Sequence, residues 1–297
     1  MMNKSKVTKI TLYSVLSAAI IAFIICSYLL VSYYLDSARA NKINEDARHR
    51  ATSDITQPDT DGITTDIDTA NAGDTFTSDT DTDIVTDINT ESDTETEPAE
   101  QVVIPVDFDS LWETNSDIIA WINVPGTIID YPVCQSTESN DYYIRRGLDG
   151  KKLTAGTLFI ENYNTPTFND FNTVIYGHKM RDGTMFADLA KFYENELSPE
   201  NAIIYIYTPT AILEYKIFAV YVRDSKHLLY GDNFDIDGVI TDYIAEITTR
   251  HTMSDYFDPT VSLTHDDKII TLSTCSEKVN RLIVHGVLCD VKGEIPD

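Results

Sequence analysis

Basic side chains are scarce: 22 Lys and Arg stand against 48 Asp and Glu in 297 residues, a formal net charge of −26. A protein that tracks a phosphate backbone needs the opposite sign, which excludes nucleic acid as a partner. Cysteine is rare too, and four scattered residues are too few for a disulfide scaffold. Neither a paired CxxC nor an HExxH pattern occurs, so the sequence implies no zinc site and no other metal or cofactor. What is present in quantity is apolar: 42% of residues are hydrophobic and 10% aromatic, enough to bury a substantial core in one or two domains.

The charge is unevenly divided. Residues 1–50 carry 7 basic and 3 acidic side chains, residues 51–100 carry none and 15, and residues 101–297 carry 15 and 30. Within the first segment, Ile10 to Leu35 is free of charge and rich in Leu, Ile, Val, Ala and Tyr. A hydrocarbon core needs about 20 apolar residues, so 10–35 is read as a transmembrane anchor preceded by a short cytoplasmic terminus, 1–9. Tyr28, Tyr33 and Tyr34 gather at its far end, as interface-seeking aromatics do. Ala38-Arg39-Ala40 resembles a signal-peptide cleavage site, but a removable apolar region is normally about 7 to 15 residues, which favours an uncleaved anchor. Lysines at 4, 6 and 9 precede the span and Arg39, Lys42, Arg48 and Arg50 follow it, so charge alone does not fix orientation.

Residues 36–100 are expected to be a disordered, acidic, Thr/Asp-rich spacer, with little apolar surface from about 51 onward to offset the entropy of ordering. Asp79, Asp81, Asp83 and Asp87 fall at calcium-loop spacing, but Ile84 stands where that loop needs Gly and Thr90 where it needs Glu. From 101 to 297 the composition is that of one globular domain of ordinary size.

In that domain a helix is predicted over Asp107 to Ile119. Strands are predicted over 120–124, 128–133, 156–161, 173–178, 202–208, 212–223, 268–274 and 281–291. Helical periodicity interrupts them at 185–193 and at 236–249, where Ile236, Val239, Ile240, Tyr243, Ile244 and Ile247 recur at helical spacing. Most strands follow one another without an intervening helix, so the fold class is mainly β with peripheral helices, its mixed or antiparallel sheet closed into a barrel.

Three residues suggest chemistry. Cys275 ends a strand in which Thr271, Ser273 and Cys275 share one face and Ile270 and Leu272 the other, which predicts that the Cys lies on a face unlike an apolar core. His178 ends the strand Asn172-Thr173-Val174-Ile175-Tyr176-Gly177, and Arg281 begins the last strand six residues after the Cys. Taken singly, each has an ordinary structural explanation. Together they supply a thiol nucleophile, a proton carrier and a fixed cation, the parts of acyl transfer through a thioester. His285 shares a strand face with Arg281 and competes with His178, whereas His49, His227, His251 and His265 have no comparable setting. Cys134 and Cys289 are read as free core thiols and Cys26 as lying within the span.

Thr271-Leu272-Ser273-Thr274-Cys275 resembles the TLxTC signature of sortases, and Tyr176-Gly177-His178 their catalytic His segment. The similarity runs over 105–291 and looks most like class B, through Trp121 to Thr127, Asp130 to Val133, Asp149 to Lys152, 172–186 and the helical insert near 235–250. No Asp-Pro-aromatic lid motif and no second apolar span accompany it, unlike class C. The resemblance implies a sortase-type β-barrel with an N-terminal helix, behind a single-pass anchor on a Gram-positive surface, with the catalytic domain outside the cell. It implies a cysteine transpeptidase, a thiol enzyme of the peptidase class. Such an enzyme cleaves sorting signals of surface proteins after Thr and passes the acyl group to a peptidoglycan-precursor amine. Cys275 would be the nucleophile, His178 the general acid/base and Arg281 the oxyanion and substrate stabiliser, with Ser273 touching substrate and the Ser276 N–H an oxyanion donor. Ser276 stands where some members carry Glu. Two alternatives stay open at this point: a noncatalytic binding module on a stalk, and a cysteine peptidase with water as acceptor.

Overall fold

The computed structural model describes residues 4–52, 102–224, 226–229, 234, 236–249, 252, 254–275 and 280–296, without the side chains of 4–11, 249 and 275. Nine strands form one sheet: β1 (Ile118–Asn123), β2 (Asp130–Cys134), β3 (Leu158–Ile160), β4 (Asn172–Gly177), β5 (Ile203–Tyr207), β6 (Ala211–Asp224), β7 (Tyr256–Phe257), β8 (Ile269–Cys275) and β9 (Asn280–Gly293). Their order is β5-β1-β2-β3-β4-β8-β9-β6-β7, and β5 also pairs with β6, so eight strands close on themselves and β7 is appended to β6. The β2–β3 and β4–β8 pairs are parallel and the rest antiparallel. Closure removes the open edges that an isolated sheet would expose.

Period-two alternation fills the barrel: Ile122, Val133, Leu158, Ile175, Ile204, Leu213, Ile270, Leu272 and Val284 are buried inside it. The outer face is covered as well, because α4 (Asp237–Thr249) lays Ile240, Tyr243 and Ile247 into a second cluster with Val174, Phe218, Ile269 and Ile283. β4 and β8 are thus buried on both faces, although each carries polar side chains, Asn172 and Thr173 on β4 and Thr271, Ser273 and Thr274 on β8. The short helix α3 (Leu189–Tyr193) follows the His178 segment and buries Leu189 and Phe192.

Two sequence expectations change. The helix predicted over 107–119 is only α2 (Phe108–Trp112), started by the Asp107 side chain accepting from Ser110 N. Asn115 then accepts from Asp117 N in a local turn, and Ile118 and Ile119 join β1. Asx turns of this kind compete with helix.

The second change concerns the spacer expected from residue 36. The helix α1 (Lys4–Thr52) runs unbroken for 49 residues, about 70 Å at helical rise. Its first part is long and apolar enough to cross a membrane, with mean hydropathy 2.5 in its most apolar window and none of that window buried. Residues 36–52, expected to be disordered, continue the helix and pack on the barrel through buried Ala40, Asn44, Ala47 and Ala51. Arg39 pairs with Asp149 at 2.6 Å and Arg48 with Asp130 at 2.9 Å. Ion pairs this exposed contribute up to about 1 kcal/mol each and chiefly fix the helix's register. The remainder of the expected spacer, 53–100, lies outside the described residues.

Candidate active site

Three neighbouring strands end at one rim of the barrel. In the parallel β4–β8 pair Tyr176 stands opposite Ser273 and Gly177 opposite Thr274, so His178 and Cys275 are the next residues along two adjacent strands. On the other side of β8, Cys275 is in register with Arg281. The six-residue separation of Cys275 and Arg281 is thus spanned by one reversal between paired strands. A cleft opens at this rim, lined by His178, Ser273 and Arg281 with Ile144, Phe159 and Tyr176 among its apolar walls. Ser276 lies outside the described residues.

His178 is half-buried, and its Nε2 lies 2.7 Å from the Ile144 carbonyl oxygen. A carbonyl only accepts, so Nε2 carries the proton and Nδ1 is left as the ring's acceptor. Burial lowers the His178 pKa, the Ile144 carbonyl offsets part of that, and the Arg145 and Arg281 charges lower it further. The imidazole is therefore neutral at pH 7. Ser273 Oγ is buried and has no hydrogen-bond partner among the described residues, although Ser273 lines the cleft.

A family model for the sortase domain matches residues 122–289. The chain belongs to the sortase family. Within it the similarity is to class B: sortase B of Listeria monocytogenes is 32% identical over 182 residues, covering 60% of this chain and 72% of that protein. Sortase B from B. anthracis in complex with AAEK1 superimposes with a TM-score of 0.54 at 30% identity, covering 62% of this chain and 84% of that one. A Staphylococcus aureus sortase B-substrate complex gives 0.54 at 27% identity, with 62% and 84% covered.

This sortase carries a further pair in its cleft. His227, for which no local pattern suggested a role, lies 2.9 Å through Nε2 from a Glu161 carboxylate oxygen, and both residues line the cleft with His178. Leu229 N donates to His227 Nδ1, so Nε2 carries the proton toward Glu161. The two residues lie 66 positions apart, and only barrel closure brings them together. Tyr176, raised by burial and then by the Glu161 charge, keeps its phenolic proton.

The face of β8 that carries Thr271 and Ser273 is buried as deeply as the other, contrary to the expectation of a face unlike a core. Around Thr271 it holds a network of hydrogen bonds. The Thr271 hydroxyl donates to Asn172 Oδ1 at 2.6 Å and so accepts from His285 Nδ1 at 2.8 Å, while Tyr221 OH donates to His285 Nε2 at 2.8 Å. His285 is fully buried beneath the rim, stacked on Phe218, which removes it as a rival to His178 for contact with substrate. Cys134 is a buried free thiol as expected, whereas Cys289 lies exposed on the outer part of β9 and is not in the core.

Burial, and then the Arg223 charge, lower the His285 pKa to about 3. Because the unfolded imidazole titrates near 6.5, the unfolded chain binds the extra proton below that pH and the fold does not. Stability is full above about pH 6.5 and falls as pH drops toward 3, by about 1.4 kcal/mol per unit at most from this group. Chemical denaturation of wild type and His285→Gln across pH 4 to 7 should show the variant with the shallower slope. An identical slope would remove His285 as the cause.

Gly177 fixes the approach of His178. A Cβ there would sit 2.4 Å from Leu158 Cδ2 and 2.6 Å from Phe186 Cδ2, so Gly177→Ala must displace those side chains or the strand end by about 1 Å to regain ordinary contact. Displacements of that size cost on the order of a hundredfold in rate. The expected result for Gly177→Ala is a loss in kcat/KM of that order with a folded barrel; near wild-type turnover would contradict it.

Proposed function

We propose that the chain is a membrane-anchored transpeptidase that cleaves a sorting signal after Thr, holds the acyl group on Cys275 and delivers it to a peptidoglycan-precursor amine. The observation that carries this reading is the register that sets Cys275 between the end of the His178 strand and Arg281. A thiol near pKa 8.5 is only a few per cent ionised at pH 7, and the Arg281 cation favours the thiolate. The thiolate attacks the Thr carbonyl, and the oxyanion accepts hydrogen bonds from the Arg281 guanidinium and the Ser276 N–H. The proton that Cys275 loses is taken up at His178 Nδ1, the resulting imidazolium passes it to the leaving amine, the C–N bond breaks and the thioester remains. His178 Nδ1 then takes a proton from the incoming amine as it attacks, and amide formation releases the thiolate. The unpartnered Ser273 hydroxyl supports its role as a contact for the sorting signal, since buried polar groups normally have a partner.

In this reading the apolar part of α1 is a single membrane span, with the catalytic domain on the extracellular side of a Gram-positive envelope. Surface proteins bearing a sorting signal and a cell-wall precursor are the partners. The test is turnover of the full chain in detergent on a panel of fluorogenic sorting peptides with hydroxylamine as acceptor, read by mass spectrometry. Cys275-dependent hydroxamate is expected. Release of acid alone would mean a hydrolytic cysteine peptidase, and no cleavage of any peptide would mean a stalked binding module.

A further inference from the structure

The docked half of α1 grips two places that matter to the site. Ser37 hydrogen-bonds Asp182, and Asn44 Nδ2 lies 3.7 Å from Met185 Sδ. Those two partners belong to the segment directly after His178, which folds back so that Lys179 bridges Met185 and Phe186 N donates to the His178 carbonyl at 3.0 Å. On the other side, Asp36 accepts from Thr154 N and Arg39 donates to the Lys152 carbonyl. Asp36 is the first residue after the apolar stretch, so the barrel meets the helix where the proposed span ends.

At the far end of α1, the Ala51 carbonyl accepts from Asp107 N at 2.9 Å. The acidic segment leaves after Thr52 and rejoins the described chain at Val102, five residues before that bond. The described chain on its two sides is therefore joined by that bond. A segment attached in this way does not lie between the apolar span and the barrel in the mechanical sense; α1 does.

We propose that residues 36–52 of α1 are a working part of the catalytic unit, a rigid strut that joins the apolar span directly to the barrel and positions the His178 segment. The join from span to barrel then runs through α1 and not, as composition suggests, through the acidic segment. A flexible tether of about 50 residues would let the domain range over some 40 Å, whereas the strut fixes its height and orientation. Asn44 and Ser37 act as positioning residues, through the chain that follows His178. This role rests on the reading of His178 as the acid/base and of α1 as an anchor.

Hydrogen exchange of the full chain in detergent tests the strut without reference to turnover. Amides of 38–52 should exchange as slowly as those of β1 and β2, since an undocked helix opens readily. Exchange at the rate of a free helix would overturn the proposal. Replacing residues 57–98 with about six Gly and Ser residues should leave that protection in place and turnover within about twofold of wild type. Loss of both would show that the acidic segment itself holds the domain. Ala47→Glu should release 38–52 to fast exchange. Should it fail to fold, Asn44→Ala carries the test of positioning, with kcat expected to fall about fivefold and KM to stay within about twofold. An equal rise in KM at unchanged kcat would assign Asn44 to substrate binding and refute positioning. A protected strut in a chain that forms no acyl-enzyme would refute the transpeptidase reading and leave the strut standing.

Discussion

Cys275→Ala should abolish turnover, by a factor on the order of 10⁴ or more, with no acyl adduct in the intact mass and an unchanged thermal midpoint. The size of the effect follows from what the other thiols can offer. Cys134 is sealed in the core, and burial followed by the Asp117 charge pushes its pKa well above the ordinary value, so it supplies no thiolate. Cys289 is exposed but sits near the other end of β9, donating to the Glu214 carbonyl. Cys26 lies in the apolar part of α1. None can replace a nucleophile at the rim where His178 and Arg281 meet. An adduct retained in Cys275→Ala, or turnover above a tenth of wild type, would sink the thioester mechanism.

Arg281→Ala should lower kcat/KM by about a hundredfold or more, the loss typical of an oxyanion donor. A second, independent readout comes with it. The Arg281 charge is one of the influences that lower the His178 pKa, so its removal lets the imidazolium form more readily and moves the acid limb of the pH–rate profile to higher pH. Arg281→Lys separates the two roles. It keeps the charge, so the limb stays near its wild-type position, but it loses the planar fork and recovers only part of the rate. If Arg281→Ala slowed turnover with no movement of the limb, the guanidinium would act on the substrate alone. If it did neither, the assignment of Arg281 would fall.

Much of this was legible in the sequence because it was local. The strands around 172–177 and 269–275 declare themselves by apolar runs and alternation, and the Tyr-Gly-His and Thr-Leu-Ser-Thr-Cys segments sit at their ends. The reversal that aligns Cys275 with Arg281 needs only the chain between them. Hence the rim could be anticipated from three short stretches. The choice between His178 and His285 could not be settled that way, because both occupy strand positions near the Cys and Arg. It turned on burial: His285 is closed in by Thr271 of β8, Phe218 and Tyr221 of β6, and α4, which arrive from three parts of the chain.

Residues 36–52 failed for a different reason. Their composition is polar, and the packing stripe of Ala40, Asn44, Ala47 and Ala51 is made of small side chains that carry little hydrophobic signal. The spacing of that stripe was visible, but its partners were not, since Arg39 meets Asp149 across 110 positions of sequence.

By itself, then, the sequence determined what short-range periodicity and motif can carry: the apolar span, the strand-rich domain, and the Cys, His and Arg placed at strand ends. Tertiary structure alone decided which of His178 and His285 reaches the cleft, that Glu161 and His227 join it, and that the long apolar helix continues onto the barrel. Those features depend on side chains far apart in sequence whose desolvation and pairing exist only once the barrel has closed.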